Sequence, residues 1–180
     1  MASQSEMPIL SWKKDNTYLI STDPSLIPLD ALNNRIFGAE DFDWGKPLPT
    51  AQLKTLVERS LCFGLYELQS PPLSAASPSV PPSELHYPYP RLIGFARLIT
   101  DLVTVHYLTD VYILPQYRSL GLGVWMMQCV NEVFKSNPHL RGMILIADRG
   151  SRTEEFYRRH LHMGDLKGVA FCMDRKGRGA

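Results

Sequence analysis

Asp110-Val111-Tyr112-Ile113-Leu114-Pro115-Gln116-Tyr117-Arg118-Ser119-Leu120-Gly121-Leu122-Gly123 is the stretch on which the reading of this 180-residue chain turns. An apolar run broken by Pro115, then two closely spaced glycines before a long periodic segment, predicts a strand, a turn and a helix start. The helix is expected over 121–136, with Val124, Met127, Val130 and Phe134 as a core-facing stripe and Asn137-Pro138 as its stop. The first N–H groups of a helix have no internal partner and lie at its positive end, so they attract anions. Gly121 and Gly123 leave those amides uncovered, and Arg118 adds charge. The glycine pair alone also fits a purely structural junction. No Gly-Lys-Ser/Thr follows, and Met126 stands where a dinucleotide fingerprint needs its third glycine, so neither of those motifs applies.

Around this stretch the chain alternates strand and helix signals. Residues 1–14 read as a polar lead and 15–180 as a single domain. Thr17–Ser21 predicts a strand. Pro28 opens a helix carrying Leu29, Leu32 and Ile36 to Gly38, and Thr50 is an N-cap for a second helix. Leu61–Tyr66, Leu92–Ile99 and Val103–Ile113 are strands. Met143–Ala147 has the continuous apolarity of a strand buried on both faces, Thr153–His160 is a helix, and 168–173 is a last strand. The Pro- and Ser-rich stretch 70–90 reads as a loop insertion, with a ligand-binding polyproline segment as the other reading. Sequential strands followed by helical crossovers imply a mixed sheet, antiparallel early and parallel around the long helix.

Composition narrows the function. The chain is 44% hydrophobic and 21% charged, with a formal net charge of +1, which fits an ordinary globular domain and argues against a nucleic-acid binder. Charge is uneven: residues 141–180 hold nine Lys/Arg against five Asp/Glu, and residues 1–140 hold ten against thirteen. Solvated helix faces explain this, as does an anionic ligand near the C-terminal part. Cys62, Cys129 and Cys172, an odd number without CxxC spacing, suit a reducing compartment. No run approaches the ~20 apolar residues of a membrane span and no leader is evident, so a cytoplasmic protein without a membrane partner is expected.

The longer pattern Ile113, Pro115, Arg118, Gly121, Gly123 resembles motif A of the GNAT acetyltransferase superfamily, Val-x-Pro-x-x-Arg-x-x-Gly-x-Gly. Ser119 stands where that family usually has glycine. The resemblance, which extends over the element order from Tyr18 to Met173, implies a three-layer mixed α/β fold. Its central, splayed, mixed sheet has about six to seven strands and about four flanking helices. It also implies acetyl-CoA as co-substrate, with the amides of Arg118, Ser119, Leu120, Gly121, Leu122 and Gly123 on the diphosphate. Val111, Tyr112 and Ile113 would line the acetyl-pantetheine arm, the Ile113 amide polarising the thioester. Phe156-Tyr157-Arg158-Arg159 resembles the family's last-helix motif, whose tyrosine protonates the leaving thiolate. The glycine-phenylalanine that usually follows is replaced by Leu161-His162-Met163, and the upstream asparagine is absent, with Gly150 and Ser151 nearby.

Acetyl transfer needs a neutral amine, and an alkylamine with a pKa near ~10.4 must first lose a proton. Asp110 is the first candidate for base or amine anchor, and a carboxylate satisfied by backbone N–H groups is its structural alternative. Tyr107 is a second candidate, as a proton relay through water. Asp43 and Trp44 resemble the position of the family's acceptor pocket, although a loop Trp also serves as a plug over a core. The five histidines form no spaced metal set, so no metal is expected. The expected partner is a small-molecule amine, with a homodimer left open. A protein N-terminus or lysine as acceptor, and a non-catalytic acyl-CoA-binding module, are the competing readings.

Overall fold

The computed structural model describes residues 7–68 and 90–165. Six strands form one sheet in chain order: β1 (Ser11–Lys14), β2 (Tyr18–Ser21), β3 (Leu61–Glu67), β4 (Arg91–Thr100), β5 (Val105–Ile113) and β6 (Gly142–Ile144). Neighbours are antiparallel from β1 to β5, and β6 lies parallel to β5 after the crossover through the long helix. The mixed α/β architecture is therefore as expected, with four helices about the sheet. These are α1 (Leu29–Ala31), α2 (Thr50–Glu58), α3 (Leu122–Ser136) and α4 (Arg152–Leu161).

Several local expectations need correction. The polar lead contains β1: Ser11–Lys14 pair with β2 through a turn in which Asp15 and Asn16 both have positive φ (51° and 52°), the geometry of a tight hairpin. Charge on an edge strand blunts further pairing, which is why Lys13 and Lys14 disguise it. The segment opened by Pro28 is only three residues of α-helix before it widens into π-helix over Leu32–Phe37. Pro49, not Thr50, occupies the N-cap of α2, and Thr50 is its first helical residue. The strand in Met143–Ala147 is only Gly142–Ile144, with Ile144 and Ile146 exposed, so the run is not buried on both faces. β6 is the edge of the described sheet, and nothing among the described residues covers that side. The strand expected at 168–173 and nearly all of the 70–90 insertion lie outside the described residues.

Burial explains the strand order. β3 and β4 are central, and Leu61, Phe63, Leu65, Ile93, Phe95 and Leu98 are wholly buried; each such side chain contributes roughly 2 kcal/mol. One face carries α3, where Trp12 of β1 stacks on Phe63 (6.0 Å) and its Nε1 donates to Glu132 of α3 (2.6 Å). In α3 the buried residues are Leu122, Met126, Met127, Cys129, Val130 and Val133, whereas Val124 and Phe134 are half-buried. Packing against both the sheet and α4 buries a wider arc than the single stripe expected. The other face carries α1, the π-helix and α2, with Phe37 edge-on to Phe95 (6.1 Å). On this face Tyr66 folds back over Gly64: a Cβ at Gly64 would meet the ring at 2.7 Å (Cε2) and collide with the hydroxyl.

Candidate active site

The site begins where the sheet comes apart. β5 and β6 pair only through Val105↔Gly142, His106↔Met143 and Tyr107↔Ile144, yet β5 continues to Ile113. β5 also bulges. Arg97 opposes Thr109 and Phe95 opposes Tyr112, so Asp110 and Val111 together face Ala96, with Asp110 left-handed at φ 53°. A bulge bends its strand and increases local twist. The resulting opening is lined by Trp44, Tyr107, Thr109, Asp110, Val111, Leu145, Ile146 and Tyr157 among others. The structure thus brings Tyr107, Asp110, Val111, Trp44 and Tyr157 together from three distant parts of the chain. Asp43 stands exposed beside Trp44 in the same loop, and Trp44 is 49% exposed, not a plug over the core.

That loop is pinned at both ends. Asn33 of the π-helix donates to the Leu48 carbonyl and accepts from the Leu48 N–H, both at 2.8 Å. Phe42 packs on Phe37 (5.2 Å) and edge-on to Tyr112 (5.7 Å). Asp41 accepts from the Tyr112 hydroxyl (2.5 Å) and pairs with Arg118 Nη1 (2.7 Å). These hydrogen bonds hold the Asp41 carboxyl below the usual carboxylate range, while burial and Asp41 push Tyr112 up to about 12.

Asp110 is buried and its Oδ2 accepts from Arg97 Nε at 2.6 Å, with Thr109 Oγ1 donating to Oδ1 at 3.2 Å. Arg97 also reaches Ser60 Oγ at 3.3 Å. Arg97 and Ser60 were invisible as site residues from motifs alone. No sequence signal joined them, because the register sets Arg97 opposite Thr109 and only the bulge turns the neighbouring Asp110 toward it.

On the other side of the opening β5 runs through a 3-10 turn (Pro115–Tyr117) into α3. Leu114 N–H donates back to Ile93 of β4 (2.9 Å), so by alternation the Ile113 amide and carbonyl point into the gap. Arg118 Nε donates to that Ile113 carbonyl (2.9 Å), and its guanidinium lies over the Tyr112 ring (5.0 Å). Ser119 and Gly121 are left-handed, at φ 69° and 73°. Gly121 is the N-cap of α3 and offers no side-chain cap. Gly123 has no such conformational need, and a Cβ there would make only ordinary contacts with Ile113 and Phe156 at 3.6 Å. Neither the backbone nor internal packing requires glycine at 123. A Cβ at Gly121 would meet nothing within 4 Å, so the helix start is uncrowded there, as a diphosphate requires.

α4 closes the back. Ser151 caps it by accepting from Glu154 N–H (3.0 Å), and the Glu154 carboxylate accepts from Gly150 N–H (2.6 Å). This fixes the register that puts Phe156 against Gly123 and Tyr157 at the opening. Burial pushes the Tyr157 phenol up to about 12. Among the described residues no cluster of three or more His, Cys, Asp or Glu is arranged to hold a metal, and no helix is long and apolar enough to cross a membrane.

Comparison with known proteins bears on family and fold. The model of the acetyltransferase (GNAT) family matches residues 78–163. A putative acetyltransferase of Gibberella zeae is 36% identical over 169 residues, spanning 91% of each chain. A crystal structure of a GNAT-family protein from Xanthomonas campestris superposes with a TM-score of 0.65 at 26% identity, covering 90% of this chain and 94% of that one. A GNAT-family acetyltransferase from Streptococcus pneumoniae shares the fold (TM-score 0.54, 16% identity, 89% and 98% covered).

Proposed function

The chain belongs to the GNAT acetyltransferase family, and from that premise we propose that it moves an acetyl group from acetyl-CoA to the primary amine of a small molecule, by direct attack in a ternary complex. The observation that carries the reading is the gap between β5 and β6: the strand that leads on into the α3 start leaves its neighbour at the opening that Tyr107, Asp110 and Tyr157 line. When bound, acetyl-CoA supplies an activated thioester. The amides of Arg118 to Gly123 are suited to its diphosphate. Val111, Tyr112 and Ile113 present the open edge of β5, where the Ile113 N–H is placed to donate to the thioester oxygen. One such donor is worth roughly 3 kcal/mol when charge develops on an oxyanion.

Asp110, already ion-paired with Arg97, serves in this reading as the anchor that holds the bulge and orients amine or water, rather than as a free base. Tyr107 is half-buried and carries the amine's proton outward through water. Tyr157 with its phenol near 12 stays neutral at physiological pH. Full transfer of its proton to a thiolate whose acid has a pKa near ~8.5 runs uphill, so it stabilises the leaving sulfur as a hydrogen-bond donor. Asp43 and Trp44 frame the acceptor entrance.

Calorimetric titration with acetyl-CoA tests the donor half. Wild-type protein binds in the micromolar range and Gly123→Glu, at a position with ordinary helical backbone, loses binding while keeping its fold. A wild type that does not bind acetyl-CoA overturns the proposal. For the transfer step, Tyr157→Phe lowers turnover by about tenfold to a hundredfold, measured as CoA thiol release with an amine acceptor.

A further inference from the structure

We propose that the acceptor amine is carried on an apolar, arylalkyl-type body and is not a polyamine or aminosugar; this rests on the acetyl-transfer reading above. Among the described residues α1, the π-helix and α2 pack over β3 and β4 on their face of the sheet, and Ile99 and Ile144 toward its β5–β6 end are exposed. Ile99, Tyr107 and Ile144 are direct neighbours across three strands, so their side chains emerge on the same side. Ile99 is 42% and Ile144 50% exposed, and beside them Ile146 (55%) and Trp44 (49%) line the opening itself. Single exposed apolar residues are ordinary, but here Trp44, Tyr107 and Ile146 line the opening and Ile99 and Ile144 extend it as direct strand neighbours of Tyr107, a contiguous patch that marks a binding floor. Three strands at about 4.8 Å spacing make a row about 10 Å long, the size of an aromatic ring with a short alkylamine tail.

Charge points the same way. A polycation needs several free carboxylates, yet Asp110 is taken by Arg97 and Asp41 by Arg118 and Tyr112. Asp43, exposed beside Trp44 in the same loop, offers a countercharge for one ammonium group. The apolar floor then holds the body while the amine reaches the gap between Tyr107 and Tyr157.

The test is calorimetric titration of the full-length protein with tryptamine and with spermidine, alone and in the presence of CoA, repeated for Ile99→Ser and Ile144→Ser. Both substitutions are at exposed positions and leave the melting temperature and acetyl-CoA affinity unchanged. Tryptamine is expected to bind about tenfold or more tightly than spermidine, and each substitution to weaken it by about tenfold. Tighter binding of spermidine, or tryptamine binding indifferent to both substitutions, overturns the inference. So does a wild-type dimer in sedimentation that the same substitutions dissociate, because the floor would then be an interface between copies. CoA thiol release separates the two readings: tryptamine bound with no release strikes the catalytic reading and with it tryptamine's part as acceptor, whereas release with spermidine and none with tryptamine overturns this inference alone.

Discussion

Ser119 and His162 occupy backbone that a glycine adopts without strain, at φ 69° and 54°. A left-handed residue with a Cβ costs about 1 kcal/mol. Ser119→Gly and His162→Gly are each expected to raise stability by about that much, read from the denaturant midpoint. Ser119 takes the place of the glycine usual in the resembling motif, so the substitution restores the pattern and relieves the turn together. Arg97 and Asp110 present the opposite case. Their side chains are only 15% and 10% exposed, and removing one leaves the other charge stranded. Arg97→Met alone should cost about 3 kcal/mol, and the Arg97→Met, Asp110→Leu pair distinctly less, in a double-mutant cycle by chemical denaturation. Cys62 and Cys129 are pushed up to about 12 by burial. In a Cys172→Ser background, a thiol reagent at pH 8 should find neither until the protein unfolds, and both afterwards.

One carboxylate gathers the connection between β4 and β5, which Thr100 and Asn137 also hold. Asp101 accepts from the N–H groups of Val103, Thr104 and Val105 at 3.0, 2.7 and 3.1 Å, and from the Thr104 hydroxyl at 2.6 Å. These bonds hold its carboxyl well below the usual carboxylate range. Since the folded value lies below the unfolded one near ~3.9, the stabilisation is fully present above about pH 4. It fades as pH falls toward the folded value. Asp101→Asn should therefore lower the melting temperature at neutral pH, and the gap from wild type should close on acidification below pH 4. At the start of α3 the two glycines separate: Gly121→Ala strains a φ of 73° and destabilises by about 1 kcal/mol, whereas Gly123→Ala gains up to about 1 kcal/mol of helix propensity. α3 and α4 were legible in the sequence because each carries stop or cap residues and a periodic face. β1 was not, because an edge strand with two lysines resembles a loop. β6 was overestimated because five consecutive apolar residues look doubly buried, whereas here two of them face the acceptor side.

Across the molecule, the mixed sheet and its crossover followed from element order alone, and the glycine-bearing loop from local chemistry. Pairings that join remote segments were not legible. Asp41 and Arg118 are 77 positions apart in sequence, and nothing in the residues around either names the other. The acceptor floor was hidden for the same reason, since Ile99, Tyr107 and Ile144 are ordinary strand residues until the register aligns them. Tyr66 and Gly64 show another effect of such proximity. With the Tyr66 ring in the space a Cβ at Gly64 would take, any side chain at 64 collides with it, so position 64 cannot change while the ring is there. A lineage can reach alanine at 64 only after 66 has lost its aromatic ring, and the reverse order passes through a protein that does not fold well. The two residues thus form an ordered gate in mutational space: Gly64→Ala should be tolerated in a Tyr66→Val background and not in the wild type, although neither residue touches the reaction.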